Sequence, residues 1–361
     1  MNTTRKNTKN SANTFNSVNN VNVVSLNSPS SNVESVTAFS NVYEPDSVKI
    51  SLVTLNLASQ SNPPPITDPT IIECKPDYIV EMTQEDYRPV QPISLFDDSL
   101  MKNYARLVVL GLNKKKATEQ NVAIRVFHRD SSLANYKSIT TGYKILKPKG
   151  KSNFAYFVQR VASTLRIPKY GYSKGMVWVK LGFKESSVLF ANMHLPMKKK
   201  TANLGLALRE RALALLLTEL QQHMDNTTTL IIGGDLNFRM DYAGVNQLTK
   251  LLNTRYTDLK ELPFPDPSQR RYTCKFKPLS EANETCEMKR LTAVPTNAST
   301  AEAVAKNLQE ECAEKNRIPS RCDRFLYKPA NGKTVNVSYQ KALPLSPESD
   351  HNALLACITI S

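Results

Sequence analysis

The 361-residue chain has no run of 18 consecutive apolar residues, and its first 30 residues contain no apolar stretch. A helix that crosses a bilayer needs about 20 such residues, and a secretory signal peptide needs an apolar core. We therefore expect neither a transmembrane segment nor a signal peptide. Lipid-anchor motifs are missing too, because Asn2 cannot be myristoylated and the chain ends in ACITIS without a prenylation box.

Cysteine motifs are also missing. The six cysteines, at positions 74, 274, 286, 312, 322 and 357, form neither a CxxC pair nor a cluster with histidine. This excludes a zinc-finger type of site and a dithiol redox motif. We interpret all six as reduced thiols and expect a cytoplasmic protein.

Acidic residues are relatively few. Lysine and arginine number 47 against 32 acids, which gives a formal charge of +15, and 40% of the residues are hydrophobic. The positive charge favours anionic partners such as phosphates, nucleic acid or acidic lipid, although a merely soluble basic surface also accounts for it. The apolar fraction is sufficient for one large domain and a tail.

The pattern along the chain divides it near residue 46. Residues 1–46 are rich in Asn, Ser and Thr, which predicts a disordered tail. From residue 47 to residue 361, short apolar segments alternate with polar loops. We predict strands at 48–56, 77–82, 105–112, 121–127, 175–183, 187–194, 228–233, 324–328, 334–339 and 353–360.

A helix is predicted over residues 204–224, with a core-facing stripe of Leu204, Leu208, Ala212, Leu215 and Leu216. Many strands with few helices predict an α+β fold, in which two mostly antiparallel β-sheets pack as a sandwich flanked by α-helices. Two insertions interrupt the pattern. The basic insertion 144–172 is interpreted either as an anion- or lipid-contacting segment or as a solvated excursion, and the polar insertion 279–316 as a spacer.

Polar residues at predicted strand ends are the candidates for chemistry. The segment IIGGDLNFR at 231–239 brings Asp235 and Asn237 into a loop directly after a buried strand. Asn56 ends the first strand of the domain, and Glu85 follows the second. An amide oxygen and a carboxylate are ligands that suit Mg²⁺, although a single Glu in a loop is more often a solvated acid.

Two of the four histidines also lie at strand ends beside polar residues, namely His194 in ANMHLP and His351 in ESDHNA. A neutral imidazole can orient or protonate a phosphate when an acid holds its other ring nitrogen. RIPSRCDRFLYK at 317–328 and SDH at 349–351 supply Asp323, Arg324 and Asp350. These residue types fit the binding of a divalent cation and the hydrolysis of a phosphate ester.

GDLNFR and RIPSRCDRFL resemble the GDxNYR and RxPAWCDRIL motifs of the inositol polyphosphate 5-phosphatases, a family of the deoxyribonuclease-I-like endonuclease/exonuclease/phosphatase superfamily. The segments TLN (54–56), PDYIVEMTQE (76–85), SKG (173–175), NMHL (192–195) and SDH resemble further family motifs in the same order. The resemblance covers residues 48–361. It implies the sandwich fold of that superfamily and a Mg²⁺-dependent phosphatase acting on phosphoinositides or soluble inositol polyphosphates.

The resemblance also implies roles for individual residues. Asn56 and Glu85 would help hold Mg²⁺, with Asp350 next to it. Asp235 would activate the attacking water, and Asn237 would position that water or the phosphate. His351, held by Asp323, and His194 would contact the phosphate. The remaining substrate-binding candidates are basic residues, of which Arg324 has structural pairing as an alternative role: Lys174, Lys275, Lys315, Arg317 and Arg324.

The chain departs from the family pattern at Leu55, Ser173, Cys274 and Arg321. These positions affect packing and substrate recognition and leave the catalytic candidates intact. Two alternatives remain open: a nucleic-acid phosphodiesterase of the same superfamily, and a non-catalytic module that uses this fold to bind acidic lipid or nucleic acid. Peripheral contact with an acidic membrane surface is a further expectation, and it would depend on the basic surface.

Overall fold

The computed structural model describes residues 34–37, 47–58, 63, 65–86, 94–112, 121–129, 136–146, 174–197, 202–238, 247–269, 271–274, 276, 286, 312, 320–344 and 349–361. The strands within them are β1 (Glu34–Thr37), β2 (Val48–Asn56), β3 (Tyr78–Asp86), β4 (Tyr104–Gly111), β5 (Asn121–Arg129), β6 (Ser138–Ile145), β7 (Gly175–Gly182), β8 (Ser187–His194), β9 (Thr228–Asp235), β10 (Lys260–Glu261), β11 (Asp323–Lys328), β12 (Val335–Leu343) and β13 (Ala353–Ile360). The helices are α1 (Thr70–Glu73), α2 (Asp98–Met101), α3 (Ala202–Gln221) and α4 (Gln247–Arg255), with a short 3-10 helix at Pro267–Gln269.

These strands form two sheets. One sheet has seven strands in the order β1-β6-β7-β8-β9-β11-β10, and the other has six in the order β12-β13-β2-β3-β5-β4. The pairs β2–β3 and β8–β9 are parallel, and every other strand pair is antiparallel. The prediction of two mostly antiparallel sheets in an α+β sandwich is confirmed.

Alternating side chains along the strands build three apolar layers. In β2, Ile50 and Leu52 face the core between the sheets, and Val53 and Leu55 face the opposite side of the sheet. That second side is covered by α1 and α2, while α3 and α4 cover the outer side of the seven-stranded sheet. Because both faces of each sheet are covered, the central strands are apolar along nearly their whole length.

The strand directions bring many strand ends to one end of the sandwich. β2, β3, β8 and β9 finish there, and the antiparallel strands β11 and β13 begin there. In the seven-stranded sheet, Asp235 pairs in register with His194 on one side and with Asp323 on the other. In the six-stranded sheet, Asn56 lies opposite Gln84. Candidate residues that are far apart in sequence are therefore neighbours.

Some details differ from the sequence predictions. Strands β1, β6 and β10 were not predicted, and β1 lies in the tail expected to be disordered, where it pairs with β6. Of the stripe predicted for α3, Ala212 and Leu216 are buried, whereas Leu208 and Leu215 are 38% and 52% exposed. Leucine occurs on several sides of this helix, and Leu213, Leu217 and Leu220 are buried instead, so periodicity alone identified only part of the core-facing side. Most of the two insertions lies outside the described residues.

The interpretation of all six cysteines as reduced thiols is wrong for four of them. Cys74 forms a disulfide with Cys357, 283 residues away, and Cys274 forms one with Cys322. Folding, rather than sequence proximity, brings these partners together, so motif spacing could not reveal them. The expectation of a reducing setting loses this support. Separately, within the part of the chain that the structure describes, no helix is both long and apolar enough to cross a membrane.

Candidate active site

A buried acid–histidine pair lies where β11 and β13 begin. His351 Nδ1 lies 2.8 Å from Asp323 Oδ2, and both side chains are fully buried. Burial raises the pKa of Asp323, and the adjacent His351 opposes that shift. Since the carboxylate accepts a hydrogen bond from Nδ1, the other ring nitrogen is directed elsewhere. Nε2 lies 3.6 Å from Asp350 Oδ1 and 4.0 Å from Asp235 Oδ2.

Asp235 is the centre of the cluster. Its Oδ2 accepts a hydrogen bond from Asn56 Nδ2 at 3.1 Å and lies 3.4 Å from His194 Nε2. Burial alone would raise the pKa of Asp235. The hydrogen bond from His194 and the charges of His351 and Lys174 outweigh this effect and hold the pKa well below its usual value. The Asp235 carboxylate therefore stays ionised at neutral pH and can accept a hydrogen bond or a proton from water, but the lowered pKa makes it a weaker base than a free carboxylate.

Three described non-glycine residues at this end of the sandwich have left-handed backbone conformations, namely Ala58 after β2 and the two site candidates Glu85 and Asn237. Glu85 has φ 50° and Asn237 has φ 54°. The Asn237 side chain donates to the Leu195 carbonyl at 3.0 Å, and its backbone N–H donates to Asp235 Oδ1 at 3.0 Å. Such conformations cost energy and are concentrated at functional sites.

Lys174 and Glu85 form the solvent-accessible part of the site, with side chains 24% and 27% exposed. Lys174 Nζ lies 3.9 Å from Glu85 Oε1 and contacts both ring nitrogens of His194. Burial lowers the pKa of His194, and the adjacent Lys174 lowers it further, against the opposing effects of Asp235 and Glu85. His194 is therefore neutral at physiological pH.

The donor set fits a hard divalent cation in its chemistry. The described residues of the site include four carboxyl groups and one ammonium group, that of Lys174; the carboxyl groups belong to Glu85, Asp235, Asp323 and Asp350. Excess negative charge and oxygen donors are what Mg²⁺ sites provide. However, in the described part of the chain no three His, Cys, Asp or Glu side chains are arranged as a ready metal site.

One serine and one threonine connect the segments of the site, and neither was predicted from the sequence. Ser349 Oγ donates to the Asn56 carbonyl at 2.6 Å and accepts from the His351 backbone at 3.1 Å. Thr273 Oγ1 accepts from the Asp323 backbone at 3.0 Å. Ser349 lies in the SDH motif and could have been noted, whereas no sequence signal identifies Thr273.

Arg324 does not join the cluster. It is fully buried, and its guanidinium donates to Glu261 Oε1 at 2.7 Å and to the Arg321 carbonyl at 2.7 Å. Arg321 also contacts Glu261 Oε1 at 2.7 Å. These contacts are those of structural pairing, which was the alternative role for Arg324. Lys174 lies in the site, as described above, and the three remaining basic candidates lie outside the described residues: Lys275, Lys315 and Arg317.

Comparisons with known proteins agree on the fold. The inositol polyphosphate 5-phosphatase domain of spsynaptojanin, in complex with inositol (1,4)-bisphosphate and calcium ion, has 16% identity and a TM-score of 0.52, over 91% of this chain and 85% of that one. A mutant of Cimex nitrophorin, in a ferrous NO complex, has 16% identity and a TM-score of 0.54, over 88% and 99%. Similarity at this level of identity concerns the fold alone.

A search among curated proteins finds no match. The model of Endonuclease/Exonuclease/phosphatase family 2 matches residues 115–357, which is more than half of the chain. The matched span contains most of the cluster around Asp235, and the fold of the neighbours agrees with it. The chain therefore belongs to Endonuclease/Exonuclease/phosphatase family 2, part of a superfamily of phosphoesterases and nucleases.

Proposed function

We propose that this protein removes the 5-phosphate from phosphoinositides or soluble inositol polyphosphates in a Mg²⁺-dependent hydrolysis. The observation that carries the proposal is the position of Asp235. It is a buried carboxylate with a depressed pKa, in contact with His194 and Asn56 and 4.0 Å from the His351 of the Asp323 pair. Nucleophilic attack by water on a phosphate monoester needs an ionised group placed to accept the proton of the water, together with positive charge and donors around the phosphoryl oxygens.

Each residue of the cluster has a role in this reaction. Asp235 accepts a proton from the attacking water, and Asn237, whose side chain is held by the Leu195 carbonyl, positions that water. Asp323 holds His351 so that the Nε2 atom faces the substrate. The carboxylate of Asp323 also stabilises the imidazolium form of His351, whose Nε2–H group donates a hydrogen bond to a phosphoryl oxygen. His194, neutral and in contact with Asp235, binds another phosphoryl oxygen.

Mg²⁺ would be held by Glu85 and Asn56, with Asp350 beside it, and when bound it supplies positive charge to the phosphoryl oxygens. Substrate recognition is assigned to Lys174 and to three basic residues outside the described part of the chain, Lys275, Lys315 and Arg317. Lysine and arginine side chains suit the other phosphates of an inositol ring. The sequence motifs, together with the shared fold of a domain solved with inositol (1,4)-bisphosphate, support this choice of substrate class.

The test is phosphate release from a panel of inositol polyphosphates and short-chain phosphoinositides, with Mg²⁺ or with chelator. We expect release from the 5-phosphorylated members alone. Asp235→Asn should lower kcat by roughly 10²–10⁴-fold, because the amide cannot accept the proton of the water. Asp77→Asn is the control, since Asp77 pairs with Arg129 ahead of β3, at the other end of that strand.

Three results would contradict the proposal. Cleavage of DNA or RNA that requires Asp235, without release from the inositol panel, would favour a nucleic-acid phosphodiesterase. Full activity of Asp235→Asn would remove this carboxylate from the mechanism. No hydrolysis of any substrate, together with binding to acidic vesicles or nucleic acid, would favour a non-catalytic module. The nitrophorin structure, a ferrous NO complex, shows that this fold also occurs in a protein with a different function.

A further inference from the structure

The proposed cation ligand Glu85 has an unusual backbone conformation. Glu85 has φ 50°, a left-handed conformation that residues with a Cβ seldom adopt. It lies in an irregularity of β3, where regular pairing with β5 stops at Thr83 and resumes at Asp86 opposite Asn121. Such a bulge redirects a side chain, and it persists only when the residues on either side are fixed.

The residue after Glu85 is fixed by a buried ion pair. Asp86 Oδ2 lies 2.9 Å from Arg125 of β5, and both side chains are completely buried. Thr83 completes the group, because its hydroxyl donates to Asp86 Oδ2 at 2.7 Å and accepts from Arg125 at 3.1 Å. The three side chains therefore connect the two ends of the irregularity to each other and to the neighbouring strand.

The residue before Glu85 is fixed as well. Gln84 Nε2 donates to Asn192 Oδ1 at 2.7 Å and to Thr54 Oγ1 at 3.0 Å. Asn192 belongs to the other sheet, and its own amide donates to the carbonyls of Thr83 and Ala123. The side chain of Gln84 thus connects the two sheets at the position that immediately precedes Glu85.

We infer that Asp86 and Arg125, joined by Thr83, are positioning residues that hold Glu85 in the conformation needed to bind the divalent cation; this inference rests on the proposed function. Buried ion pairs are often no more stabilising than apolar side chains of similar volume, so stability alone does not explain this one. Without the pair, the backbone at Glu85 is free to return to the extended conformation, which moves the carboxylate away from His194, whose Nε2 lies 3.9 Å from Glu85 Oε1.

The matched comparison uses a second Asp–Arg pair between the same two segments. Asp77 and Arg129 lie 3.0 Å apart at the opposite end of β3 and β5. We would compare the double variant Asp86→Leu/Arg125→Met with the double variant Asp77→Leu/Arg129→Met. Replacing both members of each pair avoids leaving a buried charge without its partner.

We expect the Asp86/Arg125 double variant to bind Mg²⁺ about 10–100-fold more weakly than the parent by titration calorimetry, the range typical for loss of a residue that orients a ligand. Its Mg²⁺ activation constant for phosphate release should rise in parallel, while kcat at saturating Mg²⁺ returns close to the parent value. Asp77→Leu/Arg129→Met should leave Mg²⁺ affinity unchanged. A merely structural role would change urea unfolding and leave Mg²⁺ affinity as in the parent.

Unchanged Mg²⁺ affinity in the folded Asp86/Arg125 variant would overturn the inference, as would a parent protein that binds no Mg²⁺. If the double variant does not fold, the Mg²⁺ affinity of Thr83→Val tests the inference instead, because this substitution removes only the hydroxyl that joins Asp86 and Arg125. A weaker Mg²⁺ affinity would then support the inference, and parent-like affinity would overturn it. A parent that binds Mg²⁺ but hydrolyses none of the panel contradicts the proposed function alone, because calorimetry still tests the positioning role.

Discussion

At the scale of single residues, the site depends on which partner each ionisable group has. His351 and Asp323 form a fully buried pair at 2.8 Å, and Asp235 stays ionised because His194, His351 and Lys174 surround it. Burial by itself would favour the protonated form of both acids. The partners therefore keep Asp235 ionised, whereas burial still raises the pKa of Asp323, whose carboxylate supports His351 through their hydrogen bond.

This difference gives a prediction for Asp323→Asn. The amide keeps the shape of the side chain, but it no longer supports a positive charge on His351. We expect kcat for phosphate release to fall roughly 10²–10⁴-fold, with KM nearly unchanged, in steady-state kinetics. Asp258→Asn, which disrupts the surface pair with Lys328, is the control and should behave as the parent. Parent-like kcat in Asp323→Asn would show that the pair has no part in the reaction.

At the scale of elements, the end of β9 has to approach β8 closely. Gly234 has φ +137°, and a Cβ there would lie 1.9 Å from the Met193 carbonyl oxygen. Any side chain at this position would push Asp235 away from His194. The GG of IIGGDLNFR is thus a geometric requirement of the site, and the sequence showed the glycines without the reason for them.

Gly234→Ala should therefore be much more harmful than Gly332→Ala. Gly332 also has a left-handed φ, +71°, but a Cβ there meets nothing within 4 Å. We expect Gly332→Ala to cost about 1–2 kcal/mol in unfolding free energy, from the backbone conformation alone. Gly234→Ala adds the clash and should cost more than that, as measured by urea unfolding. Equal costs for the two variants would contradict the close approach of β8 and β9.

At the scale of the whole molecule, long-range connections hold the sandwich together. The disulfide between Cys74, which follows α1, and Cys357, in β13, closes a loop of 283 residues. A covalent link over so many residues limits the freedom of the unfolded chain. The sandwich itself is shared by proteins as different as a phosphatase domain and a nitrophorin, so the fold alone does not specify the chemistry.

The double variant Cys74→Ala/Cys357→Ala should lower the free energy of unfolding by about 2–5 kcal/mol, the usual effect of losing a native disulfide. Urea unfolding of the oxidised parent and of the variant, each with and without reductant, measures this. Reductant should destabilise the parent more than the variant, because the variant keeps only the Cys274–Cys322 disulfide. A parent whose unfolding midpoint does not respond to reductant would contradict the Cys74–Cys357 link.

The amino-acid sequence was sufficient for the parts that depend on local pattern. The strands predicted at 48–56, 187–194 and 353–360 have the same bounds in the structure, because apolar runs between polar loops define them. The sandwich class followed from the number of such runs, and the polar residues at their ends included Asp235, His194 and His351. The local sequence shows both the chemical type of these residues and their position at the ends of strands.

Only the tertiary structure decided which of these residues meet. The parallel pairing of β8 with β9 and the antiparallel return of β11 place His194, Asp235 and Asp323 side by side, and folding also pairs the cysteines and directs Arg324 toward Glu261. The buried group around Asp86 and the left-handed turn at Glu85 had no sequence signal. Contacts between residues far apart in the chain depend on strand order and packing, which local periodicity does not encode.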